Sequence, residues 1–118
     1  MEKTLTIDGK DVKFRATAAV PRLYRIKFRR DIIQDMQTIQ TALKEQEKDG
    51  GGSLPPEALT MFENVAYIMA KHGDKDVVPN DPDEWLDSFS TFSIYEIVQE
   101  IIDLWGLNME STSTAKKN

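Results

Sequence analysis

At the start of the chain, apolar and polar positions alternate. Leu5 and Ile7 stand among threonines, Val12 and Phe14 alternate with Lys13 and Arg15, and Asp8-Gly9 falls between the two runs. A period of two is that of a strand, and Asp-Gly has the backbone freedom of a tight turn, so residues 3–16 are predicted to form a β-hairpin. Its apolar residues fall on one face, which must lie against helices because two strands alone are marginal. From Ala18 the period becomes helical, with Val20, Leu23, Tyr24 and Phe28 on one stripe, Arg22, Arg25 and Arg29 on another, and Pro21 in the first turn. Ile32, Met36, Ile39 and Leu43 continue with steps of four, three and four. They predict a helix over 31–47 whose apolar face Ile33 widens for packing on two neighbours.

Asp49-Gly50-Gly51-Gly52-Ser53 must interrupt the helix, since each glycine costs about 1 kcal/mol there relative to alanine. Pro55-Pro56-Glu57 opens the next one. Its stripe is Ala58, Phe62, Val65, Ala66 and Met69, flanked by Met61 and Ile68, and Gly73 stops it; the breadth of the stripe predicts a central helix. After an acidic loop from Asp74 to Asp83, residues 84–89 fit a short helix presenting Trp85 and Phe89. Ser93-Ile94-Tyr95-Glu96 has the spacing of a capping box and opens a last helix, whose stripe is Ile94, Ile97, Val98, Ile101, Leu104 and Trp105. Gly106-Leu107 fits a Schellman stop, with a left-handed glycine and Leu107 turned back toward Ile102. Residues 109–118 are too polar to bury, which predicts a disordered tail. The expected fold is therefore mainly α, of the α+β kind. Residues 1–108 form one domain, an N-terminal β-hairpin packed on a bundle of four to five helices.

Composition narrows the function more than the fold. The chain has 118 residues, enough for one domain with its own core. It has no cysteine, which excludes disulfides, thiolate metal sites and cysteine nucleophiles and fits a reducing compartment. No apolar run is long enough to span a bilayer, and Met1-Glu2-Lys3-Thr4 does not read as a secretion signal. A net charge of −5 disfavours phosphate backbones and anionic membranes. The charge is uneven, with Arg22, Arg25, Lys27, Arg29 and Arg30 crowded together and acids dominating from Asp74 to Glu84.

Candidate chemistry is sparse. His72, the sole histidine, sits at a helix end where a cation is mildly favoured, with no partners in the sequence for a zinc or general-base site. Asp74-Lys75-Asp76 begins like a calcium loop but lacks the third acidic ligand and the glycine of the turn. Gly50-Gly51-Gly52-Ser53 lacks the Gly-Lys-Ser/Thr of a phosphate loop and reads as a linker. Glu96, Glu100 and Asp103 have the spacing of a solvated helix face. No catalytic, metal or cofactor site is expected, and an enzyme is the least favoured class. Arg22, Arg25 and Arg29 share a face that either contacts phosphates, pairs with the protein's own acids or meets an acidic partner. Tyr24, Phe28, Trp85, Phe89, Tyr95 and Trp105 fit the core more readily than a surface, but any exposed one would strengthen a binding face.

The order of several motifs resembles the tail assembly chaperones of long-tailed bacteriophages and prophages of Gram-positive bacteria. They are Phe14-Arg15-Ala16-Thr17, then Arg22-Leu23-Tyr24-Arg25-Ile26-Lys27-Phe28 with Arg30-Asp31-Ile32, then Trp85-Leu86, and finally Leu104-Trp105-Gly106-Leu107-Asn108 before a polar tail. The family often carries glycine before the Arg-Asp pair, where this chain has Arg29. Whether the first two helices are separate or continuous is thereby left open. The resemblance implies a protein of the bacterial host cytoplasm, absent from the mature virion, that binds the tape measure protein, keeps its apolar helices soluble and helps recruit tail tube protein. It also implies a longer, frameshifted form, for which the codons of Lys116-Lys117-Asn118 are a candidate slip site. Tyr24 and Phe28, with Arg22, Arg25 and Arg29, are the expected partner-binding residues; self-association is left open. The alternatives are a small phage DNA-binding regulator and a structural head or tail connector.

Overall fold

The computed structural model describes residues 1–48, 54–90 and 93–106. Strands β1 (Glu2–Ile7) and β2 (Lys10–Arg15) pair antiparallel, with Leu5 opposite Val12. The turn takes positive φ at Asp8 and Gly9, 55° and 77°, as a two-residue hairpin turn that follows the strand twist requires. Ile7, Val12 and Phe14 are buried. At the open end of the hairpin, Met1 and Ala16 exchange two backbone hydrogen bonds.

Helix α1 (Val20–Phe28) ends at Arg29, which lies in the left-handed region at φ 59°, ψ 37°. α1 and α2 (Ile32–Lys48) are therefore separate helices, and an arginine makes the bend that glycine would make most easily. Asp31 restarts the chain as a helix by accepting the amide hydrogen of Ile33 at 2.9 Å. The expectation for Ile33 is corrected: it is 46% exposed. The buried face of α2 widens in the other direction, through Asp35, because Tyr24 of α1 and Arg30 bind that carboxylate.

α3 (Pro56–Gly73) is central, with β2, α1 and α2 packed around it. All five residues of its expected stripe are buried, together with Tyr67, Ile68 and Ala70. α4 (Pro82–Asp87) is capped by Asp81, whose carboxylate accepts from the Asp83 amide. A 3₁₀ turn (Ser93–Ile97) leads into α5 at 98–106. The capping box does not form. The entry is 3₁₀ rather than α, the Ser93 hydroxyl donates to the Ser90 carbonyl at 3.0 Å, and Glu96 is exposed. Gly106 belongs to α5 and has no positive φ, so it makes no Schellman stop, and Leu107 lies outside the described residues. The expected linker glycines and the tail at 109–118 also lie outside them. Ile94, Ile97, Val98, Ile101, Leu104 and Trp105 are all buried, and one core runs from Ile7 to Trp105. The hairpin on a helical bundle is as the sequence predicts.

Candidate functional site

The expected binding residues separate on folding. Tyr24 is fully buried, and its hydroxyl donates to Asp35 Oδ2 at 2.7 Å. Its role as a contact residue is corrected: with no exposed surface it is core, and burial followed by the Asp35 carboxylate pushes its hydroxyl pKa up. Arg30 grips the same carboxylate through Nε at 2.8 Å and Nη2 at 2.9 Å. Burial alone raises the Asp35 pKa, but the bonds from Arg30 and Tyr24 outweigh it and hold the carboxyl below the ordinary range. This triad ties α1 to α2. Phe28 is half-buried, its ring 5.1 Å from Tyr24 and 6.4 Å from Tyr67. The row continues through Tyr67 to Trp85 at 5.9 Å and on to Phe89 at 5.1 Å. The aromatic residues thus brace α1, α3 and α4 against one another.

Arg22, Arg25 and Arg29 are exposed, and the two ion pairs among the described residues, Lys3–Glu100 and Arg30–Asp35, do not involve them. Pairing with the protein's own acids is thus not what these three arginines do among the described residues. At about 100° per residue, Ile26 falls between Arg22 and Leu23, off the core stripe, and it is 60% exposed.

Ile26 marks a groove. Leu23, Ile26 and Lys27 of α1 face Tyr67, Ile68, Lys71 and His72 of α3 across a cavity of about 620 Å³, with Lys75 and Asn80 of the following loop at its end. Lys27 Nζ donates to the Asn80 carbonyl at 2.7 Å, and Lys71 Nζ to the carbonyls of Lys75 at 2.9 Å and Val78 at 2.6 Å. Tyr67 donates to the Pro79 carbonyl at 2.6 Å. The loop is therefore tied to both walls, so the end of the groove is firm. The three lysines form no ion pair among the described residues. His72 bonds Thr17 Oγ1 through Nε2 at 2.8 Å, while its Nδ1 is buried without a partner among the described residues. Burial, then the positive charges of Arg15 and Lys75, lower its pKa, which corrects the expectation of a helix-terminal cation.

A second cavity of about 400 Å³ lies between β2 and α4, over Val12, Val78, Trp85 and Phe89. Its rim mixes Lys10 and Lys13 with Asp11, Asp74 and Glu84, and Lys10 is already held over the Phe89 ring at 5.5 Å. Among the described residues no group of acids and histidine is arranged to hold a metal. Glu100 pairs with Lys3, and Asp103 accepts from Gln99. No described helix is long and apolar enough to cross a membrane.

Of the groove, the sequence reading included Leu23 in a core stripe, Ile68 at the flank of another and Lys27 in the basic cluster. It missed Ile26, Tyr67, Lys71 and Lys75. The available signal was an isoleucine among basic residues, off the helix's own stripe. Comparison of the chain with protein-family models, curated proteins and solved structures found no match.

Proposed function

We propose that this protein is a phage tail assembly chaperone, a cytoplasmic binding protein that covers apolar helix surface of the tape measure protein and helps bring tail tube subunits to it. The motif order supports the family reading, and one observation supports the mechanism: between α1 and α3 lies an open groove with an apolar floor that includes an isoleucine 60% exposed. Such a surface takes up the apolar stripe of a helix, while the net charge of −5 keeps the complex dispersed. A longer form fused beyond Asn118 would bring the tail tube subunits to the same complex.

The test is co-expression with a tape measure fragment that is insoluble alone. The wild-type chain should keep the fragment in the soluble fraction, and the Ile26→Glu variant, altered at an exposed position of the groove, should do so less well. A fragment that stays insoluble with a folded wild-type partner rejects the chaperone reading.

A further inference from the structure

We propose that the α1–α3 groove selects an amphipathic helix whose apolar stripe is flanked by carboxylates, the stripe seating on Leu23, Ile26 and Ile68 and the carboxylates meeting the cations on either lip. The inference rests on the groove being the partner site and adds what the partner must carry.

The lips are the first argument. Lys27 stands on the α1 side and Lys71 and Lys75 on the α3 side, and none has a carboxylate partner among the described residues. Arg22, equally unpaired, flanks Ile26 on the outer face of α1. Unpaired cations clustered on a chain of net charge −5 favour negative groups on the occupant and disfavour basic ones. Lys71 and Lys27 are held in place by backbone carbonyls, so little side-chain freedom is lost on pairing.

The walls are the second argument. Leu23 with Ile26 and Lys27, and Ile68 with Lys71 and His72, are separated by one helical turn on their own helices. A third helix can lay its ridge between them. An extended segment would find no hydrogen-bonding partners there, because the backbone groups of α1 and α3 are used within those helices; a helix brings its own backbone already satisfied. Duplex nucleic acid has no use for the apolar floor between the lips.

The test uses the full chain and two fluorescent peptides of about 18 residues with the same leucine stripe, one flanked by glutamates and one by lysines. Binding is followed by anisotropy and by amide chemical shifts. The glutamate peptide should bind at least about tenfold more tightly at about 0.05 M salt, and the preference should shrink at about 0.5 M. Shifts should centre on Ile26 and Ile68. Ile26→Glu, at an exposed position, should keep the circular dichroism and lose the binding, and the Lys27→Glu, Lys75→Glu double variant should turn the preference toward the lysine peptide. Equal binding of the two peptides, or binding unchanged in the folded Ile26→Glu variant, overturns the proposal. So does steeply salt-dependent binding of duplex DNA that displaces the peptide, or a wild-type dimer that Ile26→Glu makes monomeric, since the occupant is then DNA or a second copy. Failure is separable from that of the chaperone reading. A tape measure fragment kept soluble by the Ile26→Glu variant leaves the chaperone standing without this groove, and peptide selectivity without fragment rescue leaves the groove standing without the chaperone.

Discussion

At the scale of single residues, two positions carry more of the structure than their types suggest. Asp35 is 1% exposed and gathers Tyr24 and Arg30 onto one carboxylate. A charge this buried is tolerable only because every bond is charge-assisted and well aligned. Its pKa is lowered in the folded protein, so the native state binds its proton less readily than the unfolded chain does. The stabilisation is then complete above the ordinary aspartate pKa near ~3.9 and is lost as pH falls through the lowered native value. Asp35→Asn should cost about 1–3 kcal/mol at neutral pH. In urea unfolding, the gap from wild type should narrow as the pH drops below the ordinary aspartate value and through the lowered native one. A gap constant from neutral to acid pH would mean the charge is not what stabilises. Gly73 is the other position. A Cβ there would meet the Lys13 carbonyl oxygen at 2.1 Å, and that oxygen is backbone of β2 and cannot swing aside. Gly73→Ala should therefore destabilise by about 1–3 kcal/mol, whereas an ordinary glycine at a helix end would tolerate alanine. An unchanged melting temperature would show that the hairpin can back away.

At the scale of elements, the bend between α1 and α2 is made against local preference. Arg29 sits at φ 59°, where an L-residue with a long side chain is strained by about 1 kcal/mol, and it is held there by the Tyr24–Asp35–Arg30 triad and the Asp31 cap. Arg29→Gly should stabilise by roughly 0.5–1 kcal/mol and Arg29→Val should destabilise by a similar or larger amount, both read from denaturant midpoints at unchanged slope. Equal effects of the two substitutions would mean that the lost guanidinium matters more than the backbone. The other elements needed no such device. The alternation of Leu5, Ile7, Val12 and Phe14 and the wide stripe from Ala58 to Met69 were legible because periods of 2 and 3.6 survive in any tertiary setting. Ile33 and Ser93 were misread because burial on the edge of a stripe, or the tightness of a helix entry, is decided by the neighbouring element. For Ile33 that neighbour is Tyr24 with Arg30, and for Ser93 it is the Ser90 carbonyl.

At the scale of the whole molecule, the proposed function depends on which surface is left uncovered once the core is packed. If burial of the apolar floor supplies most of the affinity for a tape measure helix, raising salt should weaken that complex only through the lysine lips, and a steep loss would point to phosphate binding instead. The sequence by itself determined the hairpin and its turn, the helix stripes, the central place of α3 and the absence of cysteine chemistry. Each of these follows from a residue's own backbone preference or from the repeat of its neighbours along the chain. The tertiary structure alone decided that Tyr24 and Arg30 meet on Asp35, that Gly73 touches β2, and that Lys27 and Lys71 stand on opposite sides of one groove. Positions 27 and 71 are far apart in the chain, and no local period encodes which helix face meets another; that is settled only when α1, α2 and β2 compete for the surface of α3 and one strip of it remains open.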